Sequence, residues 1–390
     1  MHSNAMFTMR LGCLCIVIFV ESFRVCTGIS FPPTTASWLD VGPVLMATEP
    51  WEENAIEEPQ VYWDTDQEEF RMYYRGGWGN QSVGVATSKT GIYWTKYKHN
   101  PVYGGGGSNV MGFNEGGQPF VFREGKDSYW LYTTAQSTSH RRMNIAFSKD
   151  GYNWEPQNST IKLPPGCWLW GNRVVWKETS SGDFSSNISE PISTEAPIPS
   201  HFRTSTKTTA KEKYFMLQEA ALRGGVWNIF LYTSDDGLNW EIGNYGAALS
   251  TLAMGLGGGM FGGPSFANVN GTLTPRNSSG LYNLWYHASP AGKGDLPTDI
   301  YHAASKDLIT WKISLCENPV LRHSGRDPEY DQVADPSPII TPDGGALLYY
   351  DADNNYKGTA SIGVAVVRPM DHSSREISFA EEIDVIIDMI

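Results

Sequence analysis

Apolar and polar positions alternate along most of this chain in short runs, broken every few residues by Gly, Pro, Asn or Asp. The runs recur in two phrases. The first is "EEPQVYWDTDQEEFRMYYRGG", repeated as "GGQPFVFREGKDSYWLYTTAQ", "GGPSFANVNGTLTPRNSSGLYNLWYHAS" and "ADPSPIITPDGGALLYYDADNN". Each copy opens on a polar residue or Gly before Pro, runs apolar, turns through charged or Gly-rich residues and returns with paired aromatics. The second phrase is "VGVATSKTGIYWTKYKHNPVY", "MNIAFSKDGYNWEPQ", "IFLYTSDDGLNWEIG" and "IYHAASKDLITWKISLCENPVL". It is a strand of small and apolar residues, a tight Ser-x-Asp-Gly turn and a strand that begins with Trp. Alternation with period two marks half-buried strands, so one copy of each phrase predicts a four-stranded antiparallel meander.

A fifth copy of the first phrase is interrupted. "GNRVVWKE" and "KEKYFMLQEA" read as its two strands, separated by a Ser/Thr/Pro-rich insertion at 179–210 whose composition predicts a disordered loop. Five such units predict an all-β chain, a five-bladed β-propeller of four-stranded antiparallel blades. The Asp and Gly of the repeated turn suit tight reversal, Asp by bonding its own backbone and Gly by accepting positive φ. The Trp that follows is expected to pack between blades. The best-repeated residues are therefore scaffold, and chemistry is sought among the unrepeated ones.

Blade connectivity places the Ser-x-Asp-Gly turns on one face and gathers first-strand starts, second-strand ends and the 2–3 loops on the other. That face collects Glu57, Glu58, Gln118, Asn172 and Asp335 from first-strand starts, and Arg75, Glu219, His287 and Asp351 from second-strand ends. The 2–3 loops add Trp78, Arg142 and Arg223. A core would not hold such a set unpaired. Two carboxylates flanking a bond are what glycoside hydrolysis requires, and Trp rings stack on the apolar faces of sugars.

Composition narrows the class. The formal net charge of −13, without a basic cluster, excludes nucleic acid and anionic membrane as expected partners and leaves a carbohydrate substrate or ligand, bound by a monomer. Residues 1–28 read as a signal peptide, with Arg10 ahead of an apolar run from Leu11 to Val20 and small residues at Thr27 and Gly28, and residues 29–390 as a single propeller domain. Sequons at Asn80, Asn158, Asn187, Asn270 and Asn277 agree with a secreted glycoprotein that meets no membrane after leader cleavage. The mature chain retains Cys167 and Cys316, whose pairing the spacing leaves open. No metal motif is present and no cofactor is expected.

The blade openings Glu58-Pro59, Gln118-Pro119, Gly263-Pro264 and Asp335-Pro336, the "YWLYTT"-like second strands and "SKDGYNW" resemble the five-bladed propeller glycosidases, the superfamily of glycoside hydrolase families 43, 32, 68, 62 and 130. The resemblance covers essentially the mature chain. It implies a catalytic trio of an Asp opening blade one as base or nucleophile, an Asp opening blade three that orients, and a Glu opening blade four as general acid. It also leaves an axial Ca²⁺ open. Carried across, the first position falls on Glu58, the second near Asn172-Arg173, and the third on Gly262-Gly263, where no acid stands. The resemblance thus implies a secreted hydrolase of a furanoside or related glycan with Glu58 as base, Glu219 as replacement acid and Asp335 as orienter. The alternative is a carbohydrate-binding propeller that has lost its acid. A sialidase, hinted at by the Asp-box-like turns, fits five blades less well.

Overall fold

The computed structural model describes residues 38–367 apart from residues 80, 330 and 356 and the stretches 105–113, 137–141, 181–210, 223–225, 244–248, 250–259, 290–295, 314–318 and 342–344. The leader, Asn80, Asn187 and Cys316 lie outside the described residues. So does nearly all of the expected insertion, whose first two positions belong to a strand.

Strand β1 (Leu39–Met46) precedes blade one, made of β2 (Ile56–Asp64), β3 (Glu69–Gly76), β4 (Ser82–Ser88) and the short β5 (Thr95–Lys96) and β6 (Tyr103–Gly104). Blade two is β7 (Asn114–Gly125), β8 (Ser128–Gln136), β9 (Arg142–Ser148) and β10 (Glu155–Gln157). Blade three is β11 (Cys167–Ser180), β12 (Lys211–Leu222), β13 (Trp227–Ser234) and β14 (Trp240–Ile242). Blade four begins with β15 (Phe261–Ser265), continues through β16 (Ala267–Val269) and β17 (Thr272–Thr274), and is completed by β18 (Tyr282–Ala288), β19 (Asp299–Ser305) and β20 (Trp311–Ile313). Blade five is β21 (Gln332–Ile340), β22 (Ala346–Asn354) and β23 (Thr359–Val367). The fold is the expected all-β, five-bladed propeller, with each meander antiparallel.

Two features of closure were not legible in the phrases. Blade five has no second phrase of its own, and its outer strand is β1, which pairs antiparallel with β23 and so closes the ring with the beginning of the described chain. The innermost strand of blade four is split. Its first part pairs with β18, and β16 then pairs in parallel with β21 of blade five.

The repeated turn is a latch between blades. Ser148 Oγ accepts the Gly151 N–H at 2.9 Å and Asp150 Oδ1 accepts the N–H groups of Tyr152 and Asn153 at 2.8 Å, with the same pattern at Ser234 and Asp236. Glycine suits this place because φ is 78° at Gly151 and 74° at Gly237, and in the blade-four turn Leu308 takes the same conformation at 63°. A Tyr from the preceding blade closes the latch: Tyr73 donates to Gly151 O, Tyr132 to Gly237 O and Tyr349 to Gly91 O. The same Tyr meets the turn's Trp edge-on, as in Trp154 with Tyr73, Trp240 with Tyr132 and Trp94 with Tyr349. The best-repeated phrase thus joins neighbouring blades on the face opposite the acids.

Candidate active site

Each innermost strand carries a bulge at the same height. Pairing with the second strand skips two residues between Glu57 and Gln60, Gly117 and Phe120, Trp170 and Arg173, Gly262 and Ser265, and Ala334 and Ser337. A bulge bends the strand and re-aims the extra residues. The first bulged residue before each Pro has left-handed backbone, with φ of 59° at Glu58, 50° at Gln118, 56° at Gly263 and 47° at Asp335. For a residue with a Cβ this conformation costs on the order of 1–3 kcal/mol, a cost that recurs where geometry serves a site.

This register corrects one correspondence. The bulge of blade three holds Gly171 and Asn172, so the position equivalent to Glu58 is Gly171, and Arg173 follows the bulge as the first strand residue. Two of the five openings therefore lack a side chain, Gly171 in blade three and Gly263 in blade four. A Cβ at Gly171 would collide with the Glu219 carboxyl, and one at Gly262 with both Glu219 and His287. Glu219, reaching in from β12, fills the space beside Gly171 and Gly262, while Asp335 and His287 take the space a side chain at Gly263 would need. The acid missing at Gly262-Gly263 has a neighbour's carboxyl against the same point.

Glu219 Oε2 accepts the Asn172 N–H at 2.9 Å and the Gly263 N–H at 3.2 Å. The side-chain amide of the same Asn172 donates to Asp335 Oδ1 at 2.6 Å, so one residue ties the two carboxyl groups together. His287 Nδ1 lies 3.1 Å from the Asp335 N–H and 3.2 Å from Asp335 Oδ1. It accepts the amide proton when the ring is neutral and donates to the carboxylate when it is charged, so Nε2 carries a proton in either state. Asp351 Oδ1 accepts the Glu58 N–H at 2.6 Å. Arg75 is paired with Glu57, stands 3.1 Å from Glu58 Oε1 and lies under the Trp78 ring at 5.3 Å.

Of the residues expected in the site, Glu57, Glu58, Arg75, Asn172, Glu219, His287, Asp335 and Asp351 converge here, and Gln118 opens blade two beside them. Arg142 stands exposed at the start of β9, apart from the buried group, and Arg223 lies outside the described residues. Two further members, Asp353 and Arg173, are read from the strand ends onto this face without a part in the site. Asp353, two residues beyond Asp351 and on the same face of β22, is 2% exposed. Arg173 gives all its donors to neutral acceptors: Gln218 Oε1, Thr134 Oγ1 and the carbonyls of Gln118, Tyr132 and Gly171. It clamps blades two and three and leaves a buried positive charge with no direct carboxylate partner.

Six carboxyl groups, five of them buried and Asp335 nearly so, thus face Arg75, Arg173 and His287, and the titration of Glu58, Glu219, Asp335, Asp351 and Asp353 is shifted. Burial lifts Glu219 to about 7; the Asp335 charge adds to this, against the pull of His287 and of the Asn172 and Gly263 N–H groups. Burial, then the Asp335 charge, holds Glu58 well above the usual range. Burial with the Asp335 and Asp353 charges does the same to Asp351. Asp353 is pushed up to about 8, chiefly by burial. Asp335 goes the other way: burial opposes its ionisation, yet the positive charge and hydrogen bond of His287 hold it below the usual range. Glu58 Oε2, Gln118 Oε1, His287 Nε2 and Asp353 Oδ1 are buried without a protein hydrogen-bond partner, so polar groups converge here with bonding capacity unused. At the openings lies a cavity of about 30 Å³, room for a water-sized group.

The raised pKa values have a consequence for stability. Asp353 and Glu219 keep protons in the folded protein that the unfolded chain sheds near pH 4, so folding takes up protons between about pH 4 and 8. Their stabilising effect is complete below that window and lost as pH rises through about 7 and 8. The Tm is expected to fall by several degrees between pH 6 and pH 9. Asp353→Asn, which preserves an acceptor for the Gln332 amide, is expected to raise Tm at pH 8.5 and flatten that slope. Calorimetry across the range checks this, and an unchanged slope in the variant would refute it.

Neither a protein-family model nor a curated protein matches the sequence. Solved structures match its fold. A glycoside hydrolase superposes with a TM-score of 0.58 at 16% identity, over 87% of this chain and 95% of its own. A thermostable family-43 glycoside hydrolase gives 0.53 at 13% identity, over 83% and 94%. An endo-arabinase from Bacteroides thetaiotaomicron gives 0.51 at 14% identity, over 83% and 98%. At these identities the likeness is one of fold, and this chain has the five-bladed propeller fold of glycoside hydrolases.

Proposed function

We propose that the protein is a secreted glycoside hydrolase that cleaves an O-glycosidic bond of a neutral, furanose-containing or related glycan at the acid-lined mouth of the propeller. The observation that carries the reading is the carboxyl pair tied by Asn172: Glu219, about half protonated near neutrality, beside Asp335, kept ionised by His287. Glu219 gives its proton to the glycosidic oxygen as the bond to the anomeric carbon breaks. Asp335 faces the positive charge that develops on the sugar ring, and either deprotonates the attacking water or forms a glycosyl-enzyme ester that water then hydrolyses. From the sequence, Glu58 has the part of base and Asp335 that of orienter. The charge distribution favours the exchange, because a base must be ionised and burial keeps the Glu58 proton on. Protonated Glu58, His287 Nε2 and Gln118 Oε1 then bond sugar hydroxyls. The excess of acids over bases favours neutral glycans over uronate or sulfated ones.

The test is a panel of neutral oligosaccharides and aryl furanosides given to protein made in a secretory host. Turnover of at least one neutral substrate, by a chain that begins after Gly28 and loses mass on N-glycan removal, is the expected result; Asn158 and Asn270 are exposed and open to modification. Glycan binding without turnover would replace the reading with the carbohydrate-binding propeller that Gly262-Gly263 pointed to. Release of sialic acid would replace it with a sialidase.

A further inference from the structure

The exposed large hydrophobic residues divide by face. Leu39, Val41 and Met46 lie on the outer strand β1, and Tyr93 and Ile309 lie in the repeated turns, on the face opposite the acids. The remaining two among the described residues are tryptophans on the acid face: Trp78, 41% exposed, just beyond the end of β3, and Trp168, 50% exposed, at the start of β11. Both rings are held in place. The Trp168 indole N–H donates to Leu222 O at 3.1 Å, and Trp78 is stacked on the Arg75 guanidinium at 5.3 Å, itself engaged with Glu57 and Glu58. A ring already fixed loses little rotamer freedom when a ligand covers it, so its stacking energy is available for binding.

Their placement is what gives them meaning together. Blades one and three are two steps apart in a ring of five, so the tryptophans stand across the axis from one another with the acid cluster between them. Trp168 is tied to Leu222, three residues beyond Glu219 on the same strand, and Trp78 is one side chain removed from Glu58. A ligand that covers both rings must extend across the mouth. A chain of several sugars, threaded over the mouth, covers both.

Resting on the reading above, we infer that the ligand is an extended neutral glycan lying across the mouth from Trp78 to Trp168, engaged within its length, with the two indoles as outer stacking platforms. Trp168 is accordingly a specificity-determining residue for chain length.

The experiment measures binding by calorimetry, and kcat and KM where there is turnover, for α-1,5-arabino-oligosaccharides and β-1,4-manno-oligosaccharides of two to six units and the parent polymers. Wild type is compared with Trp168→Ala, Trp168→Phe and Trp78→Ala, whose folding is checked by melting. Affinity in the wild type is expected to rise with length by at least tenfold from dimer to hexamer. That gain should disappear in Trp168→Ala and Trp78→Ala, with the loss in KM, and largely return in Trp168→Phe. Binding or turnover that ignores chain length, or a length gain that survives both alanine variants, would overturn the platforms and leave the hydrolase reading standing. Absence of binding to neutral glycans of any length would overturn both.

Discussion

Glu219→Gln is expected to lower kcat about 100- to 10,000-fold on a glycan with an alkyl leaving group, the range a positioned general acid contributes. The loss should shrink to less than about tenfold on an aryl glycoside whose leaving phenol is acidic enough to depart without a proton, because general-acid assistance matters in proportion to leaving-group basicity. Gln retains a carbonyl oxygen for the Asn172 and Gly263 N–H groups, so the space beside Gly171 and Gly262 stays filled and the site keeps its shape. The pH profile provides a second readout. With Glu219 at about 7, wild-type kcat/KM should fall as pH rises through neutrality, and the variant should lose that alkaline limb. Tm should rise in the variant above pH 7, since a buried charge has been removed. A variant as active on both leaving groups as the wild type would remove Glu219 from the chemistry.

The division between what the sequence discloses and what it hides follows the range of the interactions. The Ser-x-Asp-Gly turns are local: Ser148, Asp150 and Gly151 satisfy one another within a few residues, so their pattern shows in one dimension and counts blades. The face carrying the acids follows from strand connectivity alone, which places Glu58, Glu219 and Asp335 together on it. Ring closure by β1 was hidden because it pairs the two ends of the described chain, and nothing in "LDVGPVLM" names its partner. The role of Gly171 was hidden for a related reason. A glycine reads as a turn residue until β12 is laid beside it and Glu219 is seen in the space a side chain would take. Asp353 did carry a signal, the period-two spacing from Asp351 that places both on one face of β22. Trp168 carried none, since its exposure depends on how the rim folds around it.

The exchange of roles between Glu58 and Asp335 is open to a direct contest. If Asp335 is the working anion, Asp335→Asn should lower kcat by about 100- to 10,000-fold, whereas Glu58→Gln, which replaces one neutral hydrogen-bonding group with another, should cost only about tenfold and mainly in KM. The opposite assignment predicts the opposite order, and for a reason that sharpens the comparison. The Asp335 charge is among the forces that keep Glu58 protonated, so its removal would lower the Glu58 pKa and make Glu58 a more available base near neutrality. The same removal lowers the pKa of Glu219, which Asp335 also raises, and of His287, whose charge Asp335 supports. Residual activity of Asp335→Asn should therefore decline from a lower pH than the wild type, as the acid loses its proton sooner. Near-wild-type turnover in Asp335→Asn together with inactivity of Glu58→Gln would return the base to blade one. Inactivity of Asp335→Asn with the alkaline limb of its remaining turnover moved to lower pH would place the anion in blade five, beside an acid that blade three extends into the gap left by two glycines.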